Sequence, residues 1–225
     1  MTPAAAGERG VAAEGLHLDV REAGPAHVAS FGLVDALIPV AHRLETVDAL
    51  AAFVPHIVVT HPNTPQDNLV LFALLGGVFG AEGAAARLAH ELRAVLDEAA
   101  ALRAALADER VLYLIWREPW MTVARDTYIA ATLAEVGWST LPAVEGGETG
   151  AARYPAFDWN APWLAGVERV LLSTEPYRFR AAHLAEVARL AARPALLVDG
   201  EMVSWYGSRA ARGLRWLMAL RRGLA

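Results

Sequence analysis

The sequence contains no cysteine and no lysine, and all 20 of its basic residues are arginines. Without cysteine, the chain can form no disulfide, no thiol nucleophile and no cysteine-ligated metal site. It also has no run of about 18 apolar residues, which argues against a membrane-spanning helix. The formal net charge is −5 and the arginines form no basic stripe, so a nucleic acid is a poor candidate for a partner.

The N-terminal stretch MTPAAAGERGVAAEG lacks a basic start followed by an apolar run, so it does not have the pattern of a secretory signal. As written, the chain is therefore predicted to be cytoplasmic. Residues 1–15 are rich in alanine and glycine and are expected to be frayed. Tryptophan is absent from the first 110 residues, and all seven tryptophans lie between Trp116 and Trp216. This asymmetry predicts that the two parts of the chain do different work.

Four segments of the first half have interpretable patterns. ETVDALAAFV (45–54) predicts a short helix, and HIVVT (56–60), rich in β-branched residues, predicts a buried strand. LVLFALLGGVFG (69–80) is apolar nearly all round, which predicts a buried helix whose glycines serve close packing or a helix break. Residues 82–106 carry apolar side chains at nearly helical spacing and predict a long helix of about 35–40 Å that connects two halves of the molecule.

From residue 110 onward, apolar runs alternate with helical patterns. The runs VLYLIW, RVLLST and ALLVDG predict buried strands, and the segments between them predict helices. This alternation is typical of a parallel sheet covered by helices. The predicted fold class is α/β, with a reduced or partial N-terminal lobe at 1–68, a helical region that includes the long connecting helix at 69–109, and a parallel-sheet C-terminal lobe at 110–225.

Each of the three predicted strands is followed by a loop with aromatic and charged residues: REPWMTV, EPYRF and EMVSWYG. In a parallel sheet these loops share the carboxyl end, where α/β proteins bind ligands. Aromatic faces beside a few charges suit a large, flat, partly apolar ligand, and the alternative is that the rings only cap the sheet. The loops offer Trp120, Met121, Tyr177, Phe179, Met202, Trp205 and Tyr206, with Arg117, Glu118, Glu175 and Glu201 beside them.

Arg209 follows WYGS directly and could reach the same cleft, whereas the later arginines of the last predicted helix are interpreted as a solvated face. Catalysis has weaker support. The three glutamates of the loops would form an acid–base set only if the fold brought them together, and loop carboxylates more often are solvated or contact a partner's arginines. His56 and His61 flank one predicted strand, with Asp67 after it, but a metal site there would need a third ligand in the right place. We therefore predict no catalytic residue, no metal site and no resident cofactor.

Six stretches of the sequence resemble the helical-backbone (class III) substrate-binding proteins of ABC transporters, which include cobalamin-binding proteins and iron–siderophore receptors. The stretches are FVPHIVVTHPNTPQDN, LLGGVFGAEGAAARLAHEL, VLYLIWREPWMTVARDTYIAATLAEVG, RYPAFDW, VLLSTEPYRF and VDGEMVSWYGSRAARGLRWL. Together they span about residues 44–222. The combination of WREPWMTV, STEPYRF and SWYGSR is most similar to proteins that bind cobalamin.

The resemblance implies two α/β lobes joined by one long helix, here residues 82–106, with a ligand in the cleft between the lobes. It assigns to the rim of the C-terminal lobe Trp120, Met121, Glu175, Trp205 and Tyr206. With the residues that the loop pattern adds, the candidate ligand-binding set is Arg117, Trp120, Met121, Glu175, Tyr177, Trp205, Tyr206 and Arg209. The implied ligand is cobalamin or another metal chelate, the implied partners are an ABC permease and ATPase, and the implied location is periplasmic or otherwise extracytoplasmic.

Members of this family have roughly a whole lobe before the equivalent of HIVVTHP, whereas about 55 residues precede it here. We therefore expect an incomplete N-terminal lobe and weaker binding. Three hypotheses remain open: a truncated binding protein for a corrinoid or related metal chelate, a small cytosolic enzyme that uses the rim carboxylates, and a remnant that folds without binding a ligand.

Overall fold

The computed structural model of the chain describes residues 19–22, 56–147 and 151–224. The segment expected to be frayed, 1–15, and the short helix expected at 45–54 lie outside these residues. Within the described ranges the chain forms an antiparallel strand pair, two consecutive helices, and a parallel four-stranded sheet covered by further helices. The predicted α/β class is confirmed.

The strand pair comes first. β1 (Asp19–Glu22) runs antiparallel to β2 (His56–Val59), with Asp19 opposite Val59. The strand predicted at 56–60 is therefore present over His56–Val59, and its β-branched composition suits an extended backbone. The prediction that it is buried is wrong at Val58, which is 41% exposed, because an apolar run does not specify what covers it. This pair forms a sheet of its own, separate from the four-stranded sheet.

Two helices follow, α1 (Asp67–Phe79) and α2 (Glu82–Ala105). α1 ends at Gly80, whose left-handed backbone (φ +61°) is one that glycine adopts at low cost. At Gly76 the two helices approach so closely that an added Cβ atom would lie 2.6 Å from the Cβ of Ala85. Gly76 therefore serves close packing and Gly80 ends the helix, as predicted for GGVFG, whereas Gly77 does neither.

The prediction that α1 is buried throughout is wrong for its last turn. Asn68, Leu71 and Phe72 are buried, but Val78 and Phe79 are 43% and 56% exposed. In the described part of the chain, α1 packs mainly against α2, which covers only one side of it. An apolar surface all round a helix indicates that the side chains favour burial, but it does not specify what covers them.

The long helix is confirmed. α2 has 24 residues, or about 36 Å at 1.5 Å per residue. Leu92, Val95 and Ala99 are fully buried along one of its sides. They belong to the same core as Leu214 of the last helix, α6 (Ala210–Arg222). The connecting helix therefore lies along the C-terminal lobe and contributes to its core, rather than standing free between two halves.

The four strands of the large sheet are all parallel and follow the order β4-β3-β5-β6. Their bounds are Glu109–Leu114 for β3, Trp138–Thr140 for β4, Arg169–Ser173 for β5 and Ala195–Val198 for β6. The three apolar runs predicted as strands are confirmed. The edge strand β4 was missed because its three residues are too few to form a recognisable run.

Side chains of β3 alternate between two cores. Val111 and Tyr113 join the core that α2 and α6 cover, whereas Leu112 and Leu114 join the core on the opposite face, and all four are fully buried. The other helices of the lobe are α3 (Tyr128–Ala134), α4 (Leu184–Ala191) and α5 (Gly200–Ser204). Burial on both faces explains why the strands are almost continuously apolar. Among the described residues, no helix has the length and apolar character needed to cross a membrane.

The close contact between α5 and α6 provides a test of this packing. A Cβ atom added at Gly213 would lie 2.1 Å from the carbonyl oxygen of Met202, a backbone atom that cannot rotate away. We expect Gly213→Ala to lower the free energy of unfolding by about 1–3 kcal/mol in urea denaturation.

Gly77→Ala is the matched control, because a Cβ atom there meets no neighbouring atom within 4 Å. In the interior of α1 it should leave stability unchanged or raise it by up to about 1 kcal/mol. Equal effects of the two substitutions would contradict the packing described.

Candidate ligand-binding site

The three predicted loops begin at one edge of the sheet. Leu114 of β3 lies opposite Leu172 of β5, and Ser173 of β5 lies opposite Val198 of β6. Because the strands are parallel and paired in this register, the segments that follow them all leave from the carboxyl end. The three loops are therefore neighbours in space, as expected from the sequence.

Trp205 directly follows α5. Its indole ring is fixed by a hydrogen bond at its N–H edge and by an arginine over one of its faces. Its indole Nε1 donates to Oε1 of Glu175 at 2.6 Å, and the same oxygen accepts from Oγ of Ser204 at 2.8 Å. The guanidinium of Arg209 lies over the ring, 4.8 Å from its centroid, and donates to Glu201 at 2.6 Å. Since Trp205 is only half-buried, the result is a fixed and partly exposed indole.

A cavity of about 630 Å³ lies between the loops after β5 and β6. Its charged lining residues are Glu175, Arg178, Asp199, Glu201, Arg209 and Arg212. The three carboxylates already have partners within the protein. Glu175 and Glu201 make the contacts described above, and Asp199 accepts from the backbone N–H groups of Glu201 and Met202 at 3.0 and 3.4 Å.

Of the three arginines that line the cavity, only Arg209 has a side-chain partner among the described residues. Arg209 is paired with Glu201, but Arg178 and Arg212 are exposed and make no hydrogen bond or ion pair with any residue that the structure describes. The guanidinium groups of Arg178 and Arg212 therefore have no anionic partner within the described part of the chain. Such groups favour a carboxylate or phosphate on a ligand.

A second group of rings surrounds Trp120. Phe179 stacks on it with the ring centroids 6.2 Å apart, and Trp159 meets it edge-on at 5.3 Å. Tyr177 packs on Phe179 at 4.7 Å and extends the group to Trp116 at 5.8 Å. Most of these rings are engaged with one another, as in a core. The 40% exposed ring of Trp116 gives the group its outer edge.

Arg117 belongs to this second group. Its guanidinium lies 5.5 Å from the Trp120 ring, and Nη2 donates to Glu186 at 2.9 Å. Met121 lies beside it in a short antiparallel bridge to Trp116. The contacts of Arg117 and Met121 therefore shape the loop after β3.

The predicted binding residues thus fall into separate places. Glu175 and Arg209 line the cavity and contact Trp205, which is not itself among the lining residues, whereas Arg117, Trp120 and Tyr177 belong to the second group. Met121 packs against the core that α2 and α6 cover. Tyr206 packs edge-on against Tyr128, with the ring centroids 5.9 Å apart. The aromatic residues predicted for the rim therefore lie in separate places and do not form one continuous surface.

Two residues named with the rim are largely buried. Phe179 and Met202 are 1% and 7% exposed. Phe179 is enclosed by Tyr177 and His183, so the prediction that its side chain faces a ligand is wrong, because position on a loop does not by itself show which way a side chain packs. Met202 lies under Gly213 of α6 and is still among the residues that line the cavity.

Three aromatic residues in the long loop before β5 were not predicted as part of the site: Phe157, Trp159 and Trp163. Their rings form an edge-to-face series that ends on Trp120, with centroid distances of 5.2–5.4 Å. The backbone N–H of Phe157 also donates to the carbonyl oxygen of Trp120 at 3.0 Å. The only sequence signal for this cluster was the high local density of aromatic residues, because RYPAFDWNAPW contains four of them without any periodicity.

Arg153, also missed, joins the segment after β2 to the C-terminal lobe. Its buried guanidinium donates to Oδ1 of Asn63 and to the carbonyl oxygen of Asp126, each at 2.9 Å, and to the carbonyl oxygen of Gly147 at 2.7 Å. A buried cation needs such partners to offset its desolvation. This arginine is therefore structural.

The residues that the structure describes include no group of three His, Cys, Asp or Glu side chains able to hold a metal ion. Asp67, considered with His56 and His61, accepts from the backbone N–H groups of Asn63 and Thr64 at 2.8 Å. Its carboxylate therefore stabilises the turn that leads into α1.

This architecture, a parallel α/β lobe with one long helix along it, is the fold of helical-backbone solute-binding proteins of ABC transporters. The periplasmic vitamin B12 binding protein BtuF of Vibrio cholerae is similar with a TM-score of 0.59 and 13% identity, over 81% of this chain and 69% of that chain. The periplasmic heme-binding protein RhuT from Roseiflexus sp. RS-1 gives 0.60 and 17%, over 80% and 71%.

The periplasmic heme-binding protein HutB of Vibrio cholerae gives a TM-score of 0.57 and 18% identity, over 70% of this chain and 64% of that chain. No protein-family model and no curated protein matches the sequence. At these identities the likeness concerns the fold.

Tyr128, the ring partner of Tyr206, provides a pH test of this region. Burial raises the pKa of Tyr128 from 10.0 to about 12, so the folded state keeps the phenol proton at a pH at which the unfolded chain loses it. The associated stability is present below pH 10 and is lost as the pH rises towards about 12, on the order of 2–3 kcal/mol.

We expect Tyr128→Phe to flatten the decline in unfolding free energy over this alkaline range, measured by urea denaturation at fixed ionic strength. Tyr154→Phe is the matched control, because Tyr154 is 39% exposed and should leave the decline unchanged. A Tyr128→Phe protein that loses stability as steeply as the wild type would show that Tyr128 is not the titrating group.

Proposed function

We propose that the chain is the substrate-binding component of an ABC importer and that its ligand is a corrinoid, such as vitamin B12, or a related metal chelate. The observation that carries the proposal is the clamped, half-buried indole of Trp205 next to residues that line a cavity of about 630 Å³. A flat macrocycle can stack on the indole while its polar periphery reaches Arg178 and Arg212. The likeness to binding proteins for vitamin B12 and heme supports this choice of ligand class.

The partners that accompany this function are an ABC permease and an ATPase, and the location is periplasmic or otherwise extracytoplasmic. Both are supported by the fold shared with periplasmic binding proteins. The chain spans 64–71% of the three named structures. Ligand pockets commonly enclose about 70–90% of a ligand, and the described loops form one wall, so we expect micromolar rather than nanomolar affinity.

An enzyme that uses the rim carboxylates is the competing hypothesis. Glu175 and Glu201 line one cavity, but Glu175 accepts two hydrogen bonds and Glu201 is paired with Arg209. Glu118 has an 82% exposed side chain and lies outside that lining. A general acid or base needs a free position within hydrogen-bond reach of its substrate. These occupied carboxylates favour binding without turnover.

Titration with cyanocobalamin and with hemin tests the proposed binding. We expect at least one of them to bind the wild type in isothermal titration calorimetry and to quench tryptophan fluorescence. Trp205→Ala should weaken that binding by about tenfold or more, because it removes the stacking surface. Trp163→Phe is the matched control, since Trp163 packs in the second aromatic group and its loss should leave affinity unchanged.

The remnant hypothesis gives a different result. A folded wild-type protein that binds neither compound at high micromolar concentration would overturn the proposal. Chemical conversion of either compound by the protein would instead favour the enzyme hypothesis.

The two arginines without anionic partners provide a test of ligand charge. Hemin carries two ionisable carboxylates, whereas cyanocobalamin carries no free carboxylate and a single phosphodiester, so the double variant Arg178→Gln/Arg212→Gln should weaken hemin binding by about tenfold and cyanocobalamin binding less. Arg215→Gln is the control, because Arg215 is paired with Glu91 outside the cavity lining. An unchanged affinity for hemin in the double variant would contradict recognition of an anionic group by these two arginines.

A further inference from the structure

Asn68 connects the start of α1 to the loop that carries Trp205. The residue is completely buried, and its Nδ2 donates to the carbonyl oxygen of Pro65 at 2.8 Å and to the hydroxyl of Tyr128 at 3.2 Å. Its Oδ1 accepts from the backbone N–H of Gly207, which lies 139 residues later in the chain. One amide group thus joins three segments that are distant in sequence.

The backbone N–H of Gly207 lies in a segment between α5 and α6 that has little regular secondary structure. α5 ends at Ser204 and α6 begins at Ala210, with only a single 3₁₀ turn between them at Gly207–Arg209. Gly207 has φ +74°, a conformation that glycine adopts readily and other residues adopt at a cost. A buried acceptor at this point therefore fixes the path of the loop.

The neighbours of Gly207 are the residues of interest. Trp205 and Tyr206 precede it, and Arg209, whose guanidinium covers the Trp205 ring, closes the same turn. Tyr128 supports the arrangement twice, because its hydroxyl accepts from Asn68 and its ring meets the ring of Tyr206. Asn68 itself does not line the cavity. Any effect of this side chain on a ligand must therefore pass through the loop.

We infer that Asn68 is a positioning residue for the loop 205–209, and that its amide oxygen, through the N–H of Gly207, sets the position from which Trp205 and Arg209 meet a ligand. The consequence for affinity rests on the proposed function. The positioning itself does not, because it concerns the protein without ligand.

Hydrogen exchange followed by mass spectrometry measures the positioning directly. In the ligand-free protein, Asn68→Ala should speed exchange in a peptide covering residues 203–210 by about tenfold, the effect of one lost hydrogen bond. Val136→Ala is the matched control for stability. Val136 is fully buried in the same core but follows α3, so its truncation should destabilise the lobe without specifically exposing that peptide.

Two conservative variants separate the oxygen of Asn68 from its nitrogen. Asn68→Asp keeps an acceptor for Gly207, and in this buried site its second carboxyl oxygen, when protonated, can still donate to the carbonyl oxygen of Pro65. Tyr128→Phe removes only the hydroxyl that accepts from Nδ2, so both variants should leave exchange of residues 203–210 within about threefold of the wild type. The inference is overturned if Asn68→Ala leaves exchange unchanged. It is equally overturned if folded Asn68→Asp exchanges about tenfold faster, a comparison that holds even when Asn68→Ala does not fold.

The affinity for cyanocobalamin and hemin is measured separately from hydrogen exchange. If the wild type binds cyanocobalamin or hemin, Asn68→Ala should weaken that binding by about tenfold, whereas Val136→Ala should leave it unchanged at a temperature at which both are folded. If the wild type binds neither compound while Asn68→Ala still loosens the loop, the proposed function fails and the positioning role stands. Normal affinity in an Asn68→Ala protein with a loosened loop would refute the link to the ligand.

Discussion

The register of the parallel strands β3, β5 and β6 is the constraint on which the candidate site depends. β3 and β5 are buried on both faces and the edge strand β6 is partly buried, so their apolar side chains fix the register of the sheet. The loops that follow must then emerge side by side. The apolar residues of the sheet and its covering helices form the core of the lobe, so the polar and aromatic residues of those loops are available to form a site.

Within that site, hydrogen bonds made inside the protein determine which groups remain for a ligand. Glu175 orients the Trp205 indole and the Ser204 hydroxyl, so it acts as an internal acceptor rather than as a free rim charge. Asp199 caps α5 in a similar way. After these pairings Glu175 and Asp199 accept hydrogen bonds from neutral donors and Glu201 is paired with Arg209, whereas Arg178 and Arg212 have no side-chain partner among the described residues. A balance of formal charges would have missed this asymmetry.

Much of the fold follows from pattern in the sequence, and less of the site does. Continuous apolar runs between helical segments predicted three of the four parallel strands, because burial on both faces leaves that signature. The direction of individual side chains was harder. Phe179 turned into the core and Trp159 joined Trp120 from a loop without periodicity, and both outcomes depend on tertiary contacts. Asn68 and Gly207 are far apart in sequence, so no local pattern connects them.

The position of Arg209 restricts how a ring-shaped ligand can approach Trp205. Arg209 covers one side of the indole, so a conjugated ring can stack only on the other. A flat ligand of the proposed class would therefore approach the indole from one side only, and the position of Arg209 would set the direction of that approach.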